Sequence, residues 1–290
     1  MNFTSILAVS DFTAQSAHVL ERAALLARQH QMALRLVHLA EGPCAFLADP
    51  IARMGLRARQ LARRHDIPVT AVAHSAPLEG VLTEASASTL LVLGPLSRCS
   101  WTRFYRGTLL DQAVHRSVCP LLVVKQAALK PYERVLVAID LSPDSKSLIA
   151  FAGRLSNAAV LKLFHATETV GDATLRSFSV SPEAIQANRF GSRLKARDRL
   201  AQLMGAPEML PLGLQKRALV LEVGNGDPAY LTAQHQRFTQ TELVAVGRRR
   251  RSPLLQYLTG SVAQRLAKWA EGDVLIAPFD HACPATGATH

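Results

Sequence analysis

The residues with the clearest capacity for chemistry lie between Leu243 and Ala277, in the stretch LVAVGRRRRSPLLQYLTGSVAQRLAKWAEGDVLIA. An apolar run stops at Gly247, an arginine-rich loop follows, and Gly260-Ser261 begins an amphipathic segment that precedes a second apolar run. This order predicts strand, loop, helix and strand. In α/β sheets such a loop is a place where phosphate binds, because backbone N–H groups of the helix N-terminus point outward there.

The same unit occurs 153 residues earlier, at residues 90–124, in LLVLGPLSRCSWTRFYRGTLLDQAVHRSVCPLLVV. Three glycine or hydroxyl positions recur without a gap between the two stretches. The corresponding residues are Gly94 and Gly247, Gly107 and Gly260, and Thr108 and Ser261. A repeat of this length predicts one fold used twice.

Apolar runs alternate with helical periodicity along each half, from a first strand at residues 5–9 and again from Tyr132. The pattern predicts an α/β chain of two tandem, doubly wound domains, each with a five-stranded parallel sheet. We place the domains at residues 1–126 and 132–280, joined by the polar stretch that ends at Pro131. The second half differs by a longer, basic helix predicted from Ser181 to Leu203.

Polar residues follow the first two strands of each half. Asp11 and Asp140 end the first strands, where a carboxylate either caps the next helix or contacts a ligand. His38 and His165 lie near the ends of the second strands. A lone histidine without a partner acid is typical of a packed, hydrogen-bonded core residue rather than a catalytic one.

Composition narrows the class of protein. The net charge of +11 could mark a nucleic-acid binder, but the charge is mostly dispersed, and the dense cluster Arg248–Arg251 has few aromatic neighbours. We therefore do not expect nucleic acid as the main partner. No apolar run approaches the roughly 20 residues of a membrane helix, and the four cysteines lack metal-site spacing. A cytoplasmic protein with no metal site and no membrane partner is expected.

At these positions the chain resembles universal stress proteins in tandem form, over residues 5–124 and 133–278. ATP-binding members carry Gly, two residues, Gly, nine residues, then Gly with Ser or Thr after the fourth strand, and Asp after the first. Here Ser97 and Arg250 replace the middle glycine. The resemblance implies nucleotide contacts at Asp11, Leu39, Gly94, Ser97, Gly107 and Thr108 in the first half, and at Asp140, Ala166, Gly247, Arg250, Gly260 and Ser261 in the second.

The resemblance also implies what each position would do. The aspartates would face the nucleoside, the backbone of Leu39 or Ala166 would line the adenine pocket, and the glycine loop would hold ribose and phosphates. The ligand would be ATP with Mg²⁺. A side chain in place of the middle glycine obstructs close approach of the backbone to a phosphate. Two hypotheses follow: a non-enzymatic, nucleotide-binding stress regulator, or a nucleotide-free interaction scaffold with degenerate pockets.

The sequence contains neither a P-loop nor a nucleophile elbow. In the family, the fifth strands of two subunits commonly pair edge to edge. The resemblance therefore implies that Leu121–Val124 pairs with Val274–Ala277 inside this chain, which makes it an intramolecular pseudo-dimer. Assembly into a homodimer and the identity of a protein partner stay open.

Overall fold

The computed structural model describes residues 3–41, 48–96, 108–156, 160–167, 181–204, 220–249 and 261–279. Strands and helices alternate through both halves, as predicted. The first half contains β1 (Ser5–Ser10), α1 (Ala14–His30), β2 (Leu34–Leu39), α2 (Pro50–His65), β3 (Val69–Ala76), α3 (Leu78–Glu84), β4 (Thr89–Leu93), α4 (Leu109–Arg116) and β5 (Leu121–Val123). The second half contains β6 (Arg134–Ile139), α5 (Asp144–Ser156), β7 (Val160–Thr167), α6 (Pro182–Met204), β8 (Val220–Asn225), α7 (Pro228–Thr239), β9 (Leu243–Arg249), α8 (Val262–Trp269) and β10 (Asp273–Phe279).

The described strands form one continuous sheet in the order β3-β2-β1-β4-β5-β10-β9-β6-β7-β8. Within each half every adjacent pair is parallel, which confirms the predicted doubly wound α/β class. Strand order reverses beside β1 in the first half and beside β6 in the second. These two reversals are the topological switch points at which open α/β sheets bind ligands.

The halves meet at the centre of the sheet through β5 and β10. These two strands run antiparallel, with Val123 opposite Val274, Leu122 opposite Leu275 and Leu121 opposite Ile276. The expected pairing of the two fifth strands is therefore confirmed. Each strand covers an edge that the other half would otherwise leave exposed.

Buried side chains form one apolar cluster on each side of the sheet, and both clusters extend across the two halves. The first cluster lies under α1, α2, α5 and α6, with Met54, Phe151 and Leu200 among its members. The second lies under α3, α4, α7 and α8, and includes Leu109 and Leu266. Among the helices described, none has both the length and the apolar character needed to cross a bilayer.

Local chemistry explains most of the helix starts. Thr13 caps α1 by accepting a hydrogen bond from the amide of Ser16, and Asp49 does the same for α2 at Ala52. Asp227 caps α7, with Pro228 at the first helical position, as the sequence predicts. The basic helix of the second half is also confirmed, at Pro182–Met204.

Candidate functional site

Open α/β sheets form a crevice outside the carboxyl ends of the strands that flank a switch point, and this chain has two switch points. The first crevice lies between β1 and β4, where Asp11 and Gly94 follow the last strand residues. The second lies between β6 and β9, where Asp140 follows β6 and Gly247 lies within β9. The fold thus brings each predicted aspartate to the same end of the sheet as the predicted glycine of its half.

In the first crevice the carboxylate of Asp11 is engaged locally. Its Oδ1 accepts a hydrogen bond from the amide of Thr13 at 3.0 Å and another from the Thr13 hydroxyl at 2.6 Å. Asp11 is 9% exposed, and the side chain of Leu39 at the end of β2 is also buried. Asp11 therefore rigidifies the entry to α1, and this crevice offers little exposed polar surface to a ligand.

His38 lies beneath this crevice as a buried side chain. Its Nδ1 is 2.8 Å from the Ser75 hydroxyl, and its ring lies 5.1 Å from the ring of Phe12. Its Nε2 is buried and has no hydrogen-bond partner among the described residues. Burial lowers the pKa of His38, while the Asp11 carboxylate opposes that shift. For His38 the prediction of a packed, hydrogen-bonded core histidine is confirmed.

The second crevice is more open. Asp140 is exposed, and its Oδ1 accepts hydrogen bonds from the Ser142 amide at 3.1 Å, the Ser142 hydroxyl at 2.5 Å and the Ser145 hydroxyl at 3.0 Å. Ala166 and His165 on β7 are half-buried, and the Nδ1–H of His165 donates to the carbonyl of Ile139 at 2.9 Å. The residues that match the buried positions of the first crevice are thus accessible in the second.

A strained residue follows the aspartate in both crevices. Phe12 and Leu141 each have a φ of 58°, in the left-handed region that bulky side chains rarely adopt. Such strain persists only where the surrounding structure determines it, and it is common at ligand sites. Both halves therefore have a residue in the left-handed conformation directly after the aspartate.

Thr108 and Ser261 cap the helices that follow the two glycine loops. Each forms a reciprocal capping box, Thr108 with Asp111 and Ser261 with Gln264. The Asp111 carboxylate also pairs with Lys268 Nζ at 2.7 Å, and these contacts lower the pKa of Asp111 against the opposing effect of burial. The N-terminus of α4 therefore carries the carboxylate of Asp111, where the N-terminus of α8 carries the neutral amide of Gln264.

The two described glycines of the loops are both held by packing. A Cβ on Gly94 would lie 3.3 Å from Cγ2 of Val19, and one on Gly247 would lie 3.0 Å from Cε2 of Phe279. Close packing alone accounts for a small residue at both positions. The four remaining predicted loop positions lie outside the described residues: Ser97, Gly107, Arg250 and Gly260.

The arginine-rich segment after Gly247 differs from the prediction. We expected a loop there, but β9 continues through Arg249 and pairs with β10 as far as Phe279. Arg248 is only 6% exposed, and its guanidinium donates hydrogen bonds to the carbonyls of His115 and Ser117 in the first half. A cation at the C-terminus of α4 is stabilising there, because the helix dipole is negative at that end.

Lys125 makes the reciprocal contact from the first half to the second. Its Nζ donates to the carbonyl of Ala270 at 2.5 Å and of Lys268 at 3.2 Å, at the C-terminus of α8. Burial lowers the pKa of Lys125 to about 8, against the opposing charge of Asp273. These carbonyls occupy the same places in the repeat as those of Ser117 and His115. Each half therefore caps the last helix of the other.

Asp273 is the centre of a buried polar cluster between the halves, which sequence reasoning missed. It is fully buried, and its Oδ1 accepts from the amides of Lys125 at 2.8 Å and Gln126 at 3.1 Å. Its Oδ2 accepts from the Tyr132 hydroxyl at 2.5 Å and lies 3.4 Å from Nε of Arg22. Burial and the Asp273 charge raise the pKa of Tyr132 well above its ordinary value. An acid that opens an otherwise apolar strand is the signal in the sequence that could have found this cluster.

The fold defines a doubly wound, tandem α/β protein with one topological switch point in each half. The sequence model of the universal stress protein family matches residues 131–278. This chain belongs to the universal stress protein family.

Solved structures similar to this chain support the same fold over its whole length. A universal stress protein from Archaeoglobus fulgidus DSM 4304 has a TM-score of 0.64 and 15% identity, and the alignment covers 96% of this chain and 99% of that one. A functionally unknown protein from Pseudomonas aeruginosa PAO1 has a TM-score of 0.60 and 20% identity, with coverage of 95% and 92%. At these identities the likeness shows the fold alone. No curated protein matches the chain by sequence.

Proposed function

We propose that this protein is a non-enzymatic regulator that binds an adenine nucleotide, ATP with Mg²⁺, in its second crevice. The observation that carries the proposal is the contrast between the two crevices. Asp140 is exposed where Asp11 is buried, and the cap of α8 is paired with a neutral Gln264 where that of α4 is paired with Asp111. The second crevice is thus accessible to a ligand, and the capping residue at the N-terminus of α8 does not repel an anion.

The electrostatic difference matters because a triphosphate is strongly anionic. Two like unit charges 4 Å apart repel by about 4 kcal/mol at the effective dielectric of a site near a protein surface. A phosphate at the start of α4 would meet the Asp111 carboxylate, whose charge Lys268 offsets only in part because that lysine is about half exposed. At α8 the capping partner carries no charge, so the dipole of the helix favours the anion.

The residues of the second crevice suit the parts of a nucleotide. The Asp140 carboxylate would accept hydrogen bonds from ribose hydroxyls, and the backbone at Ala166 would lie against the base. The capping box engages the amides of Ser261 and Gln264. The amides of Val262 and Ala263, in the first turn of α8, point out of the N-terminus of the helix, where phosphates bind.

The magnesium ion of this proposal arrives with the nucleotide. Among the described residues, no three acidic, histidine or cysteine side chains are grouped to hold a metal ion. Phosphate oxygens and water would therefore supply most of its ligands, as is usual for Mg²⁺.

The alternative function is a protein-interaction scaffold that binds no nucleotide. The first crevice favours it, because the buried Asp11 is already hydrogen-bonded to Thr13 and the nearby His38 and Leu39 are closed off from solvent. In our proposal the first half has this structural role while the second half keeps the ligand.

Titration calorimetry of the nucleotide-stripped protein with ATP and Mg²⁺ tests the proposal, with Asp140→Asn and Asp11→Asn as a matched pair. We expect Asp140→Asn to weaken binding about tenfold or more, since hydrogen bonds to a charged group contribute about 1.5–3 kcal/mol. Asp11→Asn should leave the affinity unchanged. Loss of binding in Asp11→Asn alone would place the nucleotide in the first crevice instead.

A second variant separates phosphate recognition from nucleoside recognition. Gln264→Glu keeps a capping box, since glutamate suits this position as well as glutamine, but adds a negative charge at the start of α8. It should weaken the binding of ATP and leave that of adenosine unchanged. If the folded wild-type protein shows no heat at millimolar ATP, the scaffold is the correct function.

A further inference from the structure

Two helices of this protein carry a large excess of basic over acidic residues. The sequence of α2 contains five arginines and no acidic residue, and that of α6 contains five basic and two acidic residues. Together they account for eight of the eleven net positive charges. Both helices follow the second strand of their half, and both pack on the same side of the sheet. Equivalent helices of the two halves therefore both carry an excess of positive charge.

The solvent face of α2 combines this charge with exposed aliphatic side chains. Met54, Ala58 and Leu61 face the core, and Leu56 lies near the middle of the opposite face at 49% exposure. Arg59 and Arg63 are exposed there, and neither forms an ion pair with any acidic residue that the structure describes. Ile51, in the first turn, is 43% exposed.

The described part of α6 repeats the combination. Phe190 and Leu194 lie one turn apart on the helix, at 64% and 45% exposure. Arg193 and Arg197 are exposed beside them, and the buried anchors of this helix are Ala196 and Leu200. Two elements related by the repeat thus share exposed arginines and exposed apolar side chains.

We propose that the solvent faces of α2 and α6 are docking surfaces for an anionic phospholipid bilayer. A bilayer surface accepts both kinds of side chain at once, because arginines bind headgroup phosphates while apolar side chains enter the acyl boundary. A nucleic acid would use the arginines but offers little to Leu56 or Ile51. The proposed association is peripheral and reversible, and it departs from the sequence-based expectation of no membrane partner.

Sedimentation of the full-length protein with lipid vesicles tests this assignment. We expect it to bind vesicles of mixed phosphatidylglycerol and phosphatidylcholine, to bind vesicles of phosphatidylcholine alone far less, and to be released by high salt. Arg59→Gln/Arg63→Gln should weaken binding on the order of thirtyfold, since each basic residue near an anionic surface contributes about 1 kcal/mol. The matched control is Arg116→Gln/Arg237→Gln, which removes the same charge from exposed positions on α4 and α7, on the other side of the sheet.

The contribution of exposed apolar side chains to vesicle binding is tested separately, with its own control. Leu56→Ser should weaken vesicle binding roughly fivefold through loss of buried apolar area. Phe238→Ser, at an 89% exposed position on α7, should have no effect. Equal binding to both vesicle types, or an equal loss in both double variants, would overturn the proposal. So would tighter binding to a DNA duplex than to vesicles with Leu56→Ser unchanged, which would assign the arginines to nucleic acid.

Discussion

Asp273 illustrates how much the contact between the halves depends on single side chains. A buried carboxylate is stable only when its charge and its lone pairs are satisfied, and here two amides, a phenol and a guanidinium supply the partners. Arg22 also lies 4.0 Å from the centre of the Tyr132 ring and donates to the carbonyl of Lys130 at 2.7 Å. Residues from helix, linker and strand thus converge on one charge.

We predict that Asp273→Asn lowers the free energy of unfolding by about 3–5 kcal/mol, because it leaves the buried Arg22 without its counter-charge. Urea denaturation measures the change. The matched control is Asp227→Asn, since asparagine caps a helix as well as aspartate and only the partly exposed ion pair with Arg265 is lost. A similar loss in both variants would contradict the central role of Asp273.

Residue types alone identified Asp11, Asp140, Thr108 and Ser261 as strand-end or cap positions, because those roles depend on neighbours close in sequence. The partners of Asp273 lie more than 140 residues away, so the sequence can show an acid at the start of an apolar strand but not which groups satisfy it. For the same reason the closed state of Asp11 and the open state of Asp140 could not be told apart from two similar tetrapeptides, SDFT and IDLS.

At the scale of elements, the order of strands and helices was predictable, since burial on both faces of a parallel sheet gives continuous apolar runs. The position at which β9 ends was not predictable. Arginines after Gly247 have the composition of a loop, and the C-terminal carbonyls of α4, from the other half, stabilise a buried Arg248 that the sequence alone does not indicate. The basic character of α6 was predicted, whereas the exposure of particular side chains on α2 and α6 depends on how each helix packs on the sheet.

Arg248→Met should destabilise the protein by about 2–3 kcal/mol, since buried carbonyls at the end of α4 lose a charged donor. Hydrogen exchange should show the loss as reduced protection of the α4 amides, alongside a lower free energy of unfolding. Arg237→Met serves as the control, because Arg237 is exposed on α7 and its ion pair with Glu271 is accessible to water. Unchanged protection of α4 would show that the contact contributes nothing to that helix.

For the whole molecule, the continuous sheet and the two shared clusters predict one cooperative unfolding transition. Leu122 and Leu275, from opposite halves, belong to the same cluster, so neither half can expose its side of the interface without cost to the other. The two domains that we placed at residues 1–126 and 132–280 stay a prediction, and they are units of sequence repetition that need not unfold independently.

Scanning calorimetry should give a calorimetric enthalpy close to the van't Hoff enthalpy. A cavity variant in β4, Leu91→Ala, should shift this transition as a whole, with a cost of about 2–5 kcal/mol. Two transitions, of which Leu91→Ala moves only the first-half one, would show that the halves unfold separately.

The reciprocal caps have a consequence for how such a chain can change. In a symmetric dimer made of two identical chains every substitution appears twice, so a change that helps one copy is imposed on the other. Here Lys125 and Arg248 donate hydrogen bonds to equivalent carbonyls in the two halves. The two donors are not equivalent in the repeat, because the counterpart of Lys125 is Pro278 and that of Arg248 is Pro95. Because the two halves are joined in one chain, each can carry substitutions that the other lacks, as the buried Asp11 and the exposed Asp140 show.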